Sequence, residues 1–165
     1  MKKILLAILM MAPLSVFAQK FAHFNSADII PNMKEYTAAQ TEIEALAKQY
    51  DEDLKRMQDE FQKKNDDYNK EAAKLLDNVK QRREQELQEL YQRIQQTYQD
   101  NQAAIQKVQG EKLQAIQELV MAAIKKVGEA GGYIYIVDTS TGAIPFVSPT
   151  LSTDVSPEIK KALGM

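Results

Sequence analysis

The sequence predicts a mainly α fold with a small β body: a long antiparallel helical hairpin, in effect a coiled-coil tentacle, with short strands at its outer ends. Three observations predict it. Two long stretches carry apolar residues at heptad spacing, each has a strand-like segment at its outer end, and helix-breaking residues are missing from the first stretch.

The first stretch reads Tyr36, Ile43, Ala47, Tyr50, Leu54, Met57, Phe61, Tyr68 and Leu75. The second reads Leu87, Tyr91, Ile94, Tyr98, Ile105, Val108, Ile116, Leu119, Ala123 and Val127. Steps of three and four place each set on one seam of a helix. A seam that narrow, with charge all around it, suits a helix whose only neighbour is another helix.

Residues 1–18 read as a secretory signal peptide. Lys2 and Lys3 form its basic start, Ile4 to Val16 its apolar stretch, and Val16-Phe17-Ala18 its cleavage site. The apolar run is too short to span a membrane comfortably, and no cysteine follows for lipid attachment. An exported, soluble mature chain is expected.

Segment 19–32 begins with a short strand from Phe21 that leads into a turn stopped by Pro31. Asn32, with Glu35 three residues on, offers a capping box for the first helix. From Met33 to about Val79 there is neither glycine nor proline. A helix of that span would be roughly 65–70 Å long. Residues 33–127 are therefore assigned to the hairpin, with its tip near 77–83, because Asp77-Asn78 is the turn-prone dipeptide at the centre. Folding there would pair Ile43 with Ile116, Leu54 with Ile105, Phe61 with Tyr98 and Tyr68 with Tyr91. Gly110 interrupts the returning helix, either making room for the ring of Tyr50 or marking a bend.

Residues 128–165 join 19–32 in the β-rich body. Gly128 ends the helix, with Gly131-Gly132 as a further break, and Tyr133 to Val137 form a strand rich in β-branched and aromatic residues. Asp138 to Gly142 turn, Ala143 to Val147 form an edge strand weakened by Pro145, and Ser156-Pro157 open a short final helix. So few strands bury little by themselves. Phe21, Phe24, Ile134, Ile136, Val137 and Phe146 are nevertheless strongly apolar. Merging strands from several copies would bury them, so a symmetric homo-oligomer is expected.

Composition excludes much chemistry. The 165 residues include no cysteine, no tryptophan and one histidine. Disulfides, thiolate zinc sites, cysteine nucleophiles and multi-histidine metal sites are ruled out. Formal charge is −2, and loss of Lys2 and Lys3 with the signal peptide takes it to −4. A mildly acidic chain offers no overall basic surface, so no nucleic-acid partner is expected. His23 has no nucleophile or second acid–base group evident beside it and reads as structural. Asp51-Glu52-Asp53 and Asp66-Asp67 lack the glycine and spacing of a calcium loop. Gly128, Gly131 and Gly132 precede a strand and form no dinucleotide fingerprint. No catalytic residue, cofactor or metal site is assigned, and the chain is not read as an enzyme.

Taken in order along the chain, these parts resemble the Skp/OmpH family of periplasmic chaperones. The resemblance rests on the signal peptide, on Phe21-Ala22-His23-Phe24-Asn25-Ser26 running to Ile29-Ile30-Pro31, and on Glu35 to Gln40. The Gln/Lys/Glu-rich arm shares it, as do Gly132 to Asp138, Asp154 to Ile159 and Ala162-Leu163. It covers essentially the whole mature chain, and the order of the parts is its specific element. The resemblance implies a homotrimer whose β-strands assemble in a trimeric body, with three helical tentacles. It implies a periplasmic holdase, working without ATP, whose partners are unfolded outer-membrane β-barrel proteins held between the tentacles.

Known members are strongly basic, and this chain is not. Lys80, Arg82 and Arg83 near the expected tip are diluted by Asp77, Glu84 and Glu86. A lipid site is not carried over, which leaves room only for a weak membrane-surface contact at the tip. On the arms, Tyr50, Met57, Tyr68, Tyr91 and Tyr98 are candidates for client contact, although heptad position assigns them first to the hairpin seam. Ala38, Ala39 and Leu46 lie off the seam and are candidates for the cavity roof. The alternative from a different class is a periplasmic coiled-coil structural or adaptor protein with one stable partner.

Overall fold

The computed structural model describes residues 19–165, so the signal-peptide reading falls outside the described residues. They separate into two units. One comprises residues 19–26 and Ala122–Met165, the other Ala27–Met121.

The Ala27–Met121 unit is an antiparallel pair of long helices. After short 3₁₀ turns at Ser26–Asp28 and Ile30–Asn32, helix α1 runs Lys34–Glu71, 38 residues and about 57 Å. A 3₁₀ turn at Ala72–Lys74 and extended Leu75 reverse the chain. Helix α2 then runs Asp77–Gly131, 55 residues and about 82 Å, its last ten lying in the other unit. Ile29, Met33, Ala39, Leu54, Leu90, Ile116 and Val120 are buried in the hairpin unit.

Several local expectations are corrected here. Residues 77–83, expected at the tip, are helical, and the break lies at Ala72 to Leu76. Asp77 opens α2 instead of turning the chain: it lies in the first turn, where an acidic side chain favours the helix dipole. The carbonyl of Leu76 accepts from the N–H groups of Val79 and Lys80, each at 2.9 Å. Asn32 does not cap α1. Its amide donates to the Asp28 carbonyl at 3.1 Å, and Met33 stands at the cap with no side-chain bond. Gly128 does not end α2. Helical geometry persists to Gly131, and Gly132 takes the left-handed turn with φ +64°. Gly110 lies within continuous helix, and a β-carbon added to it would meet nothing within 4 Å, so no ring of Tyr50 fills that space.

The sheet unit holds three parallel strands in the order β2-β1-β3: β1 Lys20–Phe24, β2 Tyr133–Asp138 and β3 Ser152–Asp154. Phe21 pairs with Tyr135 and Ser152, Ala22 with Ile136 and Thr153, and His23 with Val137 and Asp154. Parallel pairing requires long crossovers. The helical hairpin supplies the one from β1 to β2, and residues 139–151 supply the one from β2 to β3. The expected strand at Ala143–Val147 is irregular, because Gly142 at φ +67° and Pro145 interrupt it. The third strand is polar Ser152–Asp154 instead. Helix α3, Ser156–Ala162, closes the chain. Ser156 is its first residue and not its cap; Asp154 Oδ1 accepts the Ser156 N–H at 2.9 Å. Ala22, Phe24, Ala123, Val155 and Ile159 are buried in this unit.

Candidate functional site

Successive strand residues point to opposite faces, and the two faces of this sheet differ. Ala22 and Phe24 of β1 are buried, and Ile136, paired with Ala22, lies close to the end of α2. Its Cδ1 would stand 3.4 Å from a β-carbon on Gly128. On the other face Phe21 stacks on Tyr135, with ring centroids 6.3 Å apart and planes 8° apart. Phe21 and Tyr135, with Val137, Ile144, Phe146 and Leu151, line an open groove of about 440 Å³. Tyr135, Phe146 and Leu151 are 64%, 74% and 78% exposed. A contiguous apolar patch of this kind is unusual on the surface of a chain otherwise rich in charge.

Among the residues predicted for the oligomer body, Phe21, Ile134 and Phe146 are exposed and Val137 lines the groove. Ile136 is half-buried, and Phe24, only 4% exposed, belongs to the protomer's own core. Tyr135, Ile144 and Leu151 were not singled out from sequence. Tyr135 sits in an unalternated strand run, and the other two lie in a segment of no periodicity, so no pattern distinguishes them.

Polar bonds brace the ends of the strands. Asp138 Oδ1 accepts the N–H groups of Ser26 and Ser140 at 3.1 and 2.9 Å, and Oδ2 accepts the Ser26 hydroxyl at 2.5 Å. Burial alone would push the Asp138 carboxyl up, but these hydrogen bonds together outweigh it and hold the pKa below its ordinary value. Asp154 is also held low, chiefly by hydrogen bonds from the Ser156 hydroxyl and N–H. His23 is half-buried, with Nδ1 2.9 Å from Ser152 Oγ, and so ties β1 to β3. Among the described residues no three His, Asp or Glu side chains are grouped to hold a metal ion, and no helix is long and apolar enough to cross a membrane.

In the hairpin unit, Phe61 packs against Tyr91, with centroids 6.0 Å apart and planes at 47°. Lys112 Nζ meets Glu42 at 2.6 Å, Arg83 meets Glu71 at 2.8 Å, and the Tyr68 hydroxyl donates to Glu84. All four contacts obey one register. Phe61 therefore meets Tyr91 and not Tyr98, one heptad nearer the turn than the sequence pairing. Arg82 also pairs with Glu86 at 3.8 Å, so two of the three cations expected at the tip have carboxylate partners.

The arm candidates divide by exposure. Tyr50, Met57 and Tyr68 are half-buried in the seam, as is Leu46 beside it. Ala38 is exposed, whereas Ala39 is 7% exposed and has almost no surface to offer. Tyr91 and Tyr98, assigned first to the seam, stand outside it at 51% and 55% exposure. Leu119 is likewise outside at 44%, while Leu90 and Val120, missed in the sequence pattern, are 5% exposed and occupy the seam. Leu113 and Met121 add further exposed apolar surface to α2.

Comparison with known proteins adds two findings. A family model described as outer membrane protein (OmpH-like) matches residues 20–163. Among solved structures, the chain is similar to a protein from Caulobacter crescentus CB15 described as an outer membrane chaperone (OmpH-like), at TM-score 0.76 and 14% identity. That match covers 88% of this chain and 83% of the other, and at such low identity it speaks to the fold. No curated relative matches.

Proposed function

The chain belongs to the OmpH-like family of outer membrane proteins, and from that premise we propose that it is a chaperone of the bacterial envelope. It holds unfolded outer-membrane β-barrel proteins in the periplasm without ATP. The observation that carries the reading is the aromatic and aliphatic surface left uncovered on a charged arm: Tyr91, Tyr98, Leu113, Leu119 and Met121. The fold shared with the Caulobacter protein described as an outer membrane chaperone supports it.

Barrel strands alternate apolar and polar residues, so an unfolded barrel in water leaves its apolar faces open. A holder needs contacts that are individually weak and collectively sufficient. Half-exposed tyrosines suit this, because each offers a flat apolar ring and a hydroxyl that remains in water. Several arms around one client would raise the local concentration of such contacts. The exposed groove beside Phe21 and Tyr135, and two strand edges left unpaired among the described residues of one copy, support assembly of copies through the sheet unit. A homotrimer, exported by a signal peptide cut after Ala18, is the assembly proposed.

Dilution of a urea-unfolded outer-membrane barrel into buffer, followed by light scattering, tests the proposal. Suppression of scattering at one assembled oligomer per client is expected, across several unrelated barrels. An unchanged scattering trace would reject the holding role and leave the adaptor reading.

A further inference from the structure

Between Leu87 and Val108, helix α2 carries two overlapping seams, and the structure uses the one with the smaller side chains. Leu87, Ile94, Asn101 and Val108 recur at heptad spacing and belong to both. The seam in use completes this line with Leu90, Thr97 and Ala104. Leu90 is 5% exposed, and Thr97 and Ala104 are half-buried. One position on lie Tyr91, Tyr98 and Ile105, each larger than the residue whose place it would take. The two tyrosines stand outside, and Ile105 is already half-buried.

Neighbouring helix positions are about 100° apart, so exchanging one set for the other needs α2 to turn by only about half that angle. Two features reduce the resistance to such a turn. The Tyr91 ring already rests against Phe61 at 6.0 Å, at the margin of the seam. Asn101, on the shared line, has a shielded Nδ2 with no hydrogen-bond partner, so the setting in use carries the cost of an unsatisfied polar group.

We propose that α2 rotates between two settings about the line Leu87–Ile94–Asn101–Val108, with Leu90, Thr97 and Ala104 inward in one and Tyr91, Tyr98 and Ile105 inward in the other. The rotation sets how much aromatic surface the arm presents. That purpose rests on the holding role proposed above. The rotation itself is measured on the full chain with no client present, so the two readings fail separately.

The experiment is fluorine NMR on the protein labelled with 3-fluorotyrosine, with Tyr91 and Tyr98 assigned through Tyr91→Phe and Tyr98→Phe. Exchange on the microsecond-to-millisecond scale is expected at both positions. Thr97→Leu with Ala104→Leu fills the seam in use and should abolish the exchange, leaving the shift of an exposed ring. Leu90→Gln should move both resonances the opposite way. Circular dichroism confirms that each variant stays helical, and either variant alone gives a direction to read. Absence of exchange in the wild-type chain, with unchanged shifts in a helical variant, overturns the proposal.

Discussion

Asp138 shows what a single side chain does for the sheet unit. Its carboxylate gathers two backbone N–H groups and a hydroxyl from opposite ends of the sequence, Ser26 and Ser140. Its pKa is lowered from 3.8 in the folded state, so its stabilisation is complete above that unfolded value and disappears as pH falls through the lower folded one. Asp138→Asn is expected to cost about 1–2 kcal/mol at neutral pH. It should also remove part of the stability loss expected below about pH 4, and urea unfolding at several pH values checks both. Gly110 gives a prediction of opposite sign. No neighbour occupies the space beside it, so Gly110→Ala should stabilise the helix by about 1 kcal/mol, read as a rise in the urea midpoint. At this scale the sequence is legible where a residue type answers to one role. Pro157 is such a residue, standing in the first turn of the last helix as its fixed φ favours. Asp138 is not, because its bonds join positions far apart in sequence, and only the parallel strands bring them together.

Among the elements, the long helices could be read from the spacing of their apolar residues, and their register could not. Every residue of the first predicted seam, from Tyr36 to Leu75, is buried or half-buried in the fold. A displacement by one whole heptad leaves each of those residues on the seam, so the pattern is blind to it. Phe61–Tyr91, Glu42–Lys112 and Glu71–Arg83 select the register, and two of these are charge pairs that an apolar pattern does not contain. A double-mutant cycle tests the result. Phe61→Ala and Tyr91→Ala should show a coupling of about 0.5–1.5 kcal/mol, whereas Phe61→Ala and Tyr98→Ala should be additive. Coupling in the second cycle and not the first would restore the displaced register. Strand β3 escaped notice for a related reason. Ser152, Thr153 and Asp154 pair through their backbone at a sheet edge, and no alternation of apolar residues announces them.

For the whole molecule, the deciding fact is how little a single copy covers. The sheet is parallel throughout, and parallel sheets are ordinarily buried on both faces. Here one face leaves Tyr135 at 64%, Phe146 at 74% and Leu151 at 78% exposure. Among the described residues, strands β2 and β3 each also have one edge with no partner in the sheet. Burying three such side chains against another copy is worth several kcal/mol in total, at about 1.5–3 kcal/mol for each fully covered side chain. Charge placed there must therefore act on association before it acts on the protomer fold. Phe146→Asp with Leu151→Asp introduces two like charges into the groove, at positions already exposed in one copy and so tolerated by its own packing. Sedimentation of the mature chain at micromolar concentration should show an oligomer for the wild type and a monomer for the double variant. The helical signal in circular dichroism should persist at high concentration in both. An oligomer of unchanged size in the variant would place the contact between copies elsewhere and leave the groove to another partner. A monomeric wild type would remove the assembly on which enclosure of a client depends, and with it the argument that several weakly binding arms act together.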